Sequence, residues 1–406
     1  MSWVKFIAYR FIWFENQSFS KNMTLLAVAA VSLSVATMIV TIATVKGFQN
    51  GIREKIVKVH GNFIIDHAAN VEGAEPLLIA PEYLPSRSDL PQFKRMAISI
   101  SKACIVKAED DIDGAIAKGM LREDVEYSMG DFFRYQQEAK HRESLQPWVY
   151  ISQTLANRLK LDTGQLFTMV FFVRDSSGQQ RPRAVRVNIV GIYETGIEEI
   201  DKQLLYTDIS LVQKYSEIKG AFSQIECWQA NNSPLKLSEI SKQLTAGVLR
   251  VSDSSQFNRL IYDWLAILNT NVWIILVLMS LVAIIAMSTI LLILIVEKTS
   301  FIGISQAMGA NISQIQRIFL WQSGFIVFAG LLIGDAIAIS LCLLQEKTHW
   351  LSLNQEVYFV KYVMVDINVM AILIVNSSVL LASLLAAIVP VQWIKRMTPT
   401  QAIRFQ

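Results

Sequence analysis

The sequence lacks the motifs that mark most enzymes and metalloproteins. It contains no Gly-Lys dipeptide, so it has no phosphate-binding loop of the type that ends in Gly-Lys-Ser/Thr. It has no Cys-x-x-Cys pair and no Gly-x-Ser-x-Gly elbow, and its four histidines do not have the spacing of metal ligands. We therefore expect this chain to have no catalytic residues and to bind no metal or cofactor itself.

Charge is scarce, at 17% of residues, and hydrophobic residues make up 52%. Four long runs contain a single charged residue between them, Asp335. The runs are Met23–Val45, Trp264–Val296, Ile318–Gln345 and Ile367–Ile394. A helix needs roughly 20 apolar residues to cross the hydrocarbon core, and each run is long enough. The sequence predicts a membrane protein with four transmembrane α-helices.

One large segment of mixed composition separates the first two spans. Its strand-like runs, near Asn62–Asp66, Ala115–Lys118, Leu166–Val173 and Ala184–Tyr193, and one helix at Ser152–Leu161 predict an α+β domain. Aromatic and basic residues before the first span predict a helix at the membrane interface. In order, the predicted segments are the interfacial helix 1–22, a span 23–46, the α+β domain 47–263, a span 264–298, a polar connection 299–317, a span 318–345, a loop 346–366, a span 367–394 and a tail 395–406.

Basic residues outside the spans are concentrated in the N-terminal segment, the 299–317 connection and the tail, whereas the large domain nearly balances its charges. The positive-inside rule then places both termini in the cytoplasm and the α+β domain outside it. The formal net charge of +3 reflects this topology, so we expect no nucleic-acid partner. The first apolar run is too long for a signal peptide and lacks a small-residue cleavage site, so we expect a retained anchor.

Two of the three cysteines, Cys104 and Cys227, fall in the predicted external domain. A disulfide is chemically allowed there. The sequence does not show whether the two thiols meet, and two separate buried thiols are the alternative.

Small residues recur on one face of the first span, at alternating spacings of three and four. They are Ala27, Ala30, Ser34, Thr37, Thr41 and Thr44. Such a stripe allows close packing of another helix, or it lines a groove for a lipidic substrate. Asp335 is costly in a span unless it faces protein, pairs or is protonated. A packed, hydrogen-bonded role and a substrate-path role are both compatible with the sequence.

The connection after the second span has signals for a helix break. Gly309 can end one helix, Asn311 can cap the next, and Gln314 stands at the N3 position of a capping box. The sequence predicts a helix, a sharp break and a short amphipathic helix. Any helix-turn-helix connector would need the same residues, so their function stays open at this point.

Four separated stretches resemble the permease subunits of lipoprotein-releasing ABC transporters. The wider family includes macrolide-exporter membrane domains and the cell-division permease. The stretches are VKGFQNGIREKI, VNIVGIYETGIEEIDKQLLYTDI, EKTSFIGISQAMGA and PVQWIKRMTPTQAIRFQ. The second is the most specific, because a strand runs into Gly-hydrophobic-x-x-Thr-Gly and then an acidic turn.

The resemblance implies a multi-pass protein of the bacterial inner membrane that works with a separate cytoplasmic ATPase, which binds the ATP and Mg²⁺. It implies that the helix break docks on this ATPase, through Met308, Gly309, Ala310, Asn311, Gln314 and Arg317. It also implies a second permease, identical or related, a lipoprotein substrate held laterally among membrane helices and lipid, and a periplasmic carrier that receives the substrate.

Three other functions remain compatible with the sequence. One is export of another amphiphile, such as a drug, peptide or lipid. Another is a signalling permease that moves nothing and passes ATPase cycles to an external enzyme. A third is a membrane receptor with an external sensor domain and no ATPase partner.

Overall fold

The computed structural model describes residues 18–71, 76–86, 90–108, 111–136, 146–174, 179–229, 240, 244, 247–353, 360 and 362–396. The chain divides into two compact units. We call residues 1–50, 264–352 and 362–406 the helical unit, and residues 51–263 with 353–361 the α+β unit. The aromatic segment before the first span and most of the tail 395–406 lie outside the described residues.

All the strands named here lie in the α+β unit, and the four longest helices lie wholly or largely in the helical unit. In chain order the helices and strands are α1 (Ser18–His60), β1 (Phe63–His67), β2 (Phe93–Ala108), β3 (Asp111–Met120), α2 (Arg122–Met129), β4 (Phe133–Gln136), β5 (Trp148–Ser152), α3 (Gln153–Leu159), β6 (Leu166–Arg174), β7 (Gln180–Tyr193), α4 (Glu198–Gln203), β8 (Leu204–Asp208), α5 (Ile209–Lys214), β9 (Gln224–Gln229), β10 (Leu249–Asp253), α6 (Ser254–Phe257), α7 (Arg259–Glu297), α8 (Thr299–Ala307), α9 (Ile312–Thr348) and α10 (Val369–Gln392).

Among the described residues, α1, α7, α9 and α10 are long and apolar enough to cross a membrane. α1 and α9 extend well beyond the predicted spans 23–46 and 318–345, because polar residues that still favour helix follow or precede the apolar run. α1 ends at His60, where Gly61 takes a positive φ of 81° and donates its N–H to the Val57 carbonyl. A glycine in this conformation is a common helix stop.

α9 approaches α1 closely through two glycines spaced four residues apart, Gly330 and Gly334. A Cβ on Gly330 would lie 2.8 Å from the Val31 side chain, and one on Gly334 would lie 2.8 Å from the Ser32 carbonyl oxygen. Glycines at this spacing allow two membrane helices to pack backbone to backbone. The Gly-x-x-x-Gly pattern is visible in the sequence, but the sequence does not show which helix packs against it.

We expect Gly334→Ala to destabilise the helical unit by about 1–3 kcal/mol, because the added methyl group has no room against the α1 backbone. Gly324→Ala is the matched control on the same helix, since its Cβ would meet only Leu384 at 3.9 Å. Alanine also favours helix over glycine, so Gly324→Ala should be neutral or stabilising. Thermal unfolding of the two purified variants in detergent checks this. Equal midpoints would contradict the close packing.

The α+β unit contains a ten-stranded sheet in the order β10-β1-β9-β2-β3-β8-β5-β7-β4, and β6 pairs with both β2 and β7. Within the described residues, the β3–β8 and β5–β7 pairs are parallel, and the other strand pairs are antiparallel. The predicted strands near 62–66, 115–118, 166–173 and 184–193 are present, and so is the predicted helix, as α3.

β9 runs between β1 and β2 and is buried along almost all of its length, although it contains Gln224 and Glu226. Glu226 forms an ion pair with Lys118 of β3, and both side chains are buried. The Gln224 side-chain N–H donates to the same Glu226 carboxylate at 2.8 Å. A buried charge is tolerated only when it is paired and hydrogen-bonded, and this sheet supplies both conditions.

Cys104 and Cys227 are free and buried, so the alternative of two separate thiols is the one the fold adopts. Cys227 of β9 pairs with Met96 of β2, and Cys104 lies eight residues further along β2. At about 3.3 Å per residue this places the two cysteines roughly 26 Å apart, beyond the reach of a disulfide.

Both thiols should resist alkylation in the folded protein. Burial raises the pKa of the Cys104 thiol to about 12, and burial together with the negative charge of Glu226 raises the pKa of Cys227 well above its ordinary value. The thiolate is the reactive form, so little of it exists near neutral pH. Mass spectrometry after N-ethylmaleimide treatment should find these two positions modified only in denaturant. Rapid labelling without denaturant would contradict this packing.

Candidate functional site

The break between α8 and α9 is built from local hydrogen bonds. Gly309, at a φ of 89°, donates its N–H to the Gln306 carbonyl, and Ala310 donates to the Ser305 carbonyl at 2.9 Å. This pair of bonds is the Schellman arrangement that closes a helix C-terminus. The predicted stop at Gly309 is therefore confirmed.

The next helix begins with the predicted capping box. The Asn311 side chain accepts the Ser313 N–H at 3.2 Å, and the Gln314 side chain accepts the Asn311 N–H at 3.1 Å. The helix that follows is not short, however. No glycine or proline interrupts it before the apolar run, so α9 continues without a break from Ile312 to Thr348. The corner therefore consists of the short helix α8, the turn and the first turns of the third long helix.

The corner exposes apolar side chains. Met308 is 79% exposed, Ile304 is 52% exposed, and Ile312 also faces solvent, while Ile302 and Ile315 are buried in the core of the helical unit. We call Ile304, Met308 and Ile312 the corner patch. Its spacing of four residues is visible in the sequence, but the sequence does not show which apolar residues of this segment face outward.

The polar residues predicted at the corner differ in exposure and in hydrogen bonding. Gln314 is half-buried and its side-chain oxygen is used in the cap, whereas Arg317 is exposed. Asn311 is likewise engaged in capping. Gly309 and Asn311 therefore shape the corner, and Met308 and Arg317 present side chains to solvent, with Ala310 half-buried in the turn.

A cavity of about 860 Å³ opens among α1, α7 and α10 within the helical unit. Its walls are mainly apolar, and Lys46, Asn269 and Asn368 add polar groups. Pockets of roughly 300–1,000 Å³ with apolar walls and a few polar groups are typical ligand sites. This cavity has the size and polarity to hold part of an amphiphile.

The small-residue stripe lies elsewhere on α1. The α1 residues that line the cavity are Met38, Ile42 and Lys46, one face at a spacing of four. Ala27 and Ser34 are buried, and Ala30, Thr37 and Thr41 are half-buried. The Ser34 hydroxyl donates to the Ala30 carbonyl and the Thr37 hydroxyl to the Leu33 carbonyl. The burial of Ala27 and Ser34 fits close helix packing, whereas the two hydroxyl bonds stay within α1. The substrate-path role of the stripe stays a prediction.

Asp335 of α9 is half-buried and hydrogen-bonded to α10. The Asn376 side-chain N–H donates to Asp335 Oδ2 at 2.8 Å. Asp335 Oδ1 is also shielded from solvent and accepts no hydrogen bond from the described residues. The pair gives Asp335 the hydrogen-bonded environment expected of a packed carboxyl group. Asp335 is also absent from the residues that line the 860 Å³ cavity.

The segment from Glu194 to Asp201 forms a closed turn at the end of β7. The Asp201 carboxylate accepts the Thr195 hydroxyl at 2.7 Å, the Thr195 N–H at 3.1 Å and the Gly196 N–H at 2.8 Å. Thr195 and Asp201 are buried, and Gly196 has a φ of 76° that favours glycine. We call Thr195–Asp201 the motif turn, since it contains the Thr-Gly and the acidic residues of the stretch VNIVGIYETGIEEIDKQLLYTDI.

The last turns of α1 are tied to this part of the α+β unit. Lys55 donates to the Thr195 carbonyl at 3.0 Å, and the Trp228 indole N–H donates to the Val57 carbonyl at 2.9 Å. Arg53 lies over the ring of Tyr262 from the first turn of α7, at 5.8 Å. The end of α1 is thus held by the motif turn, by β9 and by the start of α7.

Comparison with known proteins finds a family model and relatives that are similar to this chain. The family model "FtsX-like permease C-terminal" matches residues 273–399. The lipoprotein-releasing system transmembrane protein LolC of Neisseria meningitidis serogroup B is 22% identical over 412 residues, which cover 97% of this chain and 96% of that protein. LolE of Haemophilus influenzae is 23% identical, with 92% of each chain covered. The chain is therefore LolC/LolE-like in sequence over nearly its whole length.

The matched segment of this LolC/LolE-like permease contains α8, the corner patch, α9 and α10, and most of α7. Residues 51–263 of the α+β unit, which include the motif turn, lie outside it, but the alignments with LolC and LolE span nearly the whole chain. Among the described residues of the permease, no group of three or more His, Cys, Asp and Glu side chains is placed to hold a metal ion.

Two solved structures of external domains are also similar to part of the permease. The extracellular domain of the transporter YknZ covers 47% of this chain and 100% of that domain, at 14% identity and a TM-score of 0.34. The periplasmic region of MacB from Actinobacillus actinomycetemcomitans covers 52% and 98%, at 11% identity and a TM-score of 0.35. Such low scores do not establish a shared fold.

Proposed function

We propose that this chain is the membrane permease subunit of an ABC transporter that extracts lipoproteins from the bacterial inner membrane. The similarity to LolC and LolE over nearly the whole chain carries the proposal, because it spans the α+β unit as well as the helices. The distribution of basic residues supports cytoplasmic termini and a periplasmic α+β unit. The permease itself is non-catalytic, and a separate ATPase chain binds the ATP and Mg²⁺.

The corner patch is the proposed docking element for this ATPase. Exposed apolar side chains on a rigid, capped turn form the anchors from which protein interfaces draw most of their binding energy. Two ATPase subunits require two such corners, which supports a dimer of permeases, either identical or related.

The proposed path for force runs along α1 and α7. Residues 51–60 of α1 and 259–263 of α7 belong to the α+β unit, so both helices continue into it. The end of α1 contacts the motif turn through Lys55, β9 through Trp228, and α7 through Tyr262. A movement of α1 would therefore act on the motif turn and on β9. The cavity among α1, α7 and α10 is the proposed place for the lipid anchor of the substrate, which then passes to a periplasmic carrier.

The test is purification of the permease in detergent with the chains that accompany it, followed by ATP hydrolysis assays. A triacylated lipoprotein should stimulate hydrolysis, and the same protein without its lipid anchor should not. Stimulation by another amphiphile but not by lipoprotein would indicate that this amphiphile is the substrate. The absence of an ATPase among the co-purified chains would overturn the proposal.

A signalling function is the second candidate, because the matched family model is that of FtsX-like permeases. Under this hypothesis the same corner and helices pass ATPase cycles to an external enzyme, and nothing is transported. An ATPase partner whose turnover is indifferent to lipoprotein would favour it.

A further inference from the structure

A second cavity, of about 190 Å³, lies inside the α+β unit. Its walls come from the end of α1, from β3, from the motif turn and from the segment that begins α7. The lining residues are Ile56, His60, Ile116, Ile197, Ile200, Gln203, Leu204, Asn258 and Ile261. Six of these nine side chains are aliphatic, so the cavity favours an apolar ligand.

The polar residues that line this cavity are Gln203, which is exposed, Asn258 and His60. The Nδ1 atom of His60 is shielded from solvent and has no hydrogen-bond partner among the described residues. The nearby Asn258 amide is directed to the Ser254 carbonyl at 3.0 Å, and the Phe257 ring lies 5.8 Å from the imidazole. A shielded nitrogen without a partner is unfavourable, and a ligand hydroxyl or N–H in the cavity would supply the missing hydrogen bond.

Size and polarity together define the ligand. An apolar cavity of about 150 Å³ is large enough to bind benzene, so a volume of about 190 Å³ accommodates one ring with a small substituent. A charged group would lose part of its hydration beside the isoleucines, which disfavours carboxylates and ammonium ions. We propose that this cavity binds a small uncharged ring compound with one hydroxyl or N–H group, which hydrogen-bonds to His60.

The position of the cavity gives such a ligand a mechanical effect. It would fill the space between Ile56 and His60 of α1 and Ile197 and Ile200 of the motif turn. The Lys55 contact to Thr195 bridges the same two elements. A bound ring would therefore brace the end of α1 against the motif turn, and this consequence does not depend on which substrate the permease transports.

The lining isoleucines make the binding measurable by NMR. We would label the isoleucine δ1 methyl groups of the full chain in nanodiscs and titrate with phenol. The methyl groups of Ile56, Ile116, Ile197, Ile200 and Ile261 should shift and saturate together. Ile79, in a different core of the same unit, is the internal control and should not move. Benzene should bind about fivefold more weakly, because it lacks the hydroxyl group.

Two variants separate the contributions of shape and hydrogen bonding. His60→Phe keeps a ring but removes the nitrogen, so phenol and benzene should then bind equally. Ile200→Phe fills the cavity and should abolish both, which also controls for probe dissolved in the lipid. Shifts that do not saturate, or that reach Ile79 equally, would show that there is no site. Equal binding of phenol and benzene to the native chain would disprove the contact with His60, and this comparison needs no variant.

Discussion

Met308→Asp is expected to weaken binding of the proposed ATPase to the permease by about tenfold or more, and to lower the proposed lipoprotein-stimulated hydrolysis in parallel. Met308 is 79% exposed, so its side chain supports no core and the variant should fold normally. Aspartate would place a charge at the centre of the corner patch, where docking would strip its water without providing a partner. Central apolar anchors of this kind dominate interface energies.

The measurement is the affinity of the purified permease for the proposed ATPase, together with the ATP turnover of the assembled complex. Met308→Leu should retain both, because it keeps an apolar side chain of similar volume. Leu121→Asp is the matched control, since Leu121 is 55% exposed but lies in the α+β unit. Unchanged affinity in Met308→Asp would exclude the corner patch as the docking element.

Asp201→Ala is expected to reduce the free energy of unfolding of the α+β unit by about 3 kcal/mol. The substitution removes the acceptor for two backbone N–H groups and for the Thr195 hydroxyl, all buried, and an unsatisfied buried group costs about 1–3 kcal/mol. Burial raises the pKa of Asp201, although its hydrogen bonds act in the opposite direction. The buried carboxylate thus carries a desolvation cost that alanine avoids, and the net loss is smaller than the sum of three bonds.

Hydrogen exchange of the full chain measures this opening, through the amides of β5, β7 and β8. Glu198→Ala is the control in the same short helix, because the Glu198 pair with Lys202 is exposed on both sides and contributes at most about 1 kcal/mol. The loosened motif turn should also release the Lys55 contact, so lipoprotein release should fall more than ATP hydrolysis does. Identical exchange in the two variants would contradict the structural role of Asp201.

The sequence was most informative where the decisive interactions are local. Hydropathy alone indicates the four long helices, and the Gly309 stop and the Asn311 capping box depend on residues within a few positions of each other. The sequence did not predict the length of the helix after the break, α9. Hydropathy marks where a membrane span begins, whereas the helix itself continues through polar residues until a glycine, a proline or a cap ends it.

Elements held by distant partners could not be predicted. β9 contains Gln224 and Glu226, so its sequence alone does not resemble that of a buried strand. Its burial depends on the ion pair between Glu226 and Lys118 of β3, which lies on the other side of β2. A carboxyl group within a membrane span indicates that Asp335 needs a hydrogen-bond partner. The sequence could not identify Asn376, because it is forty-one positions away and on another helix. The 860 Å³ cavity is likewise lined by three separate helices, so the sequence alone could not show that Met38, Ile42 and Lys46 face a cavity.

The antiparallel pairing of β1 with β10 has a consequence for how such a chain can change. Phe63, just after α1, is paired with Asp253, just before α6 and α7. Neighbouring strands lie about 4.8 Å apart, so the chain enters and leaves the sheet at almost the same point. The α+β unit is in this sense a cassette inserted into a connection between two helices. A short loop, or another domain with neighbouring ends, could take its place without rebuilding the helices that flank it.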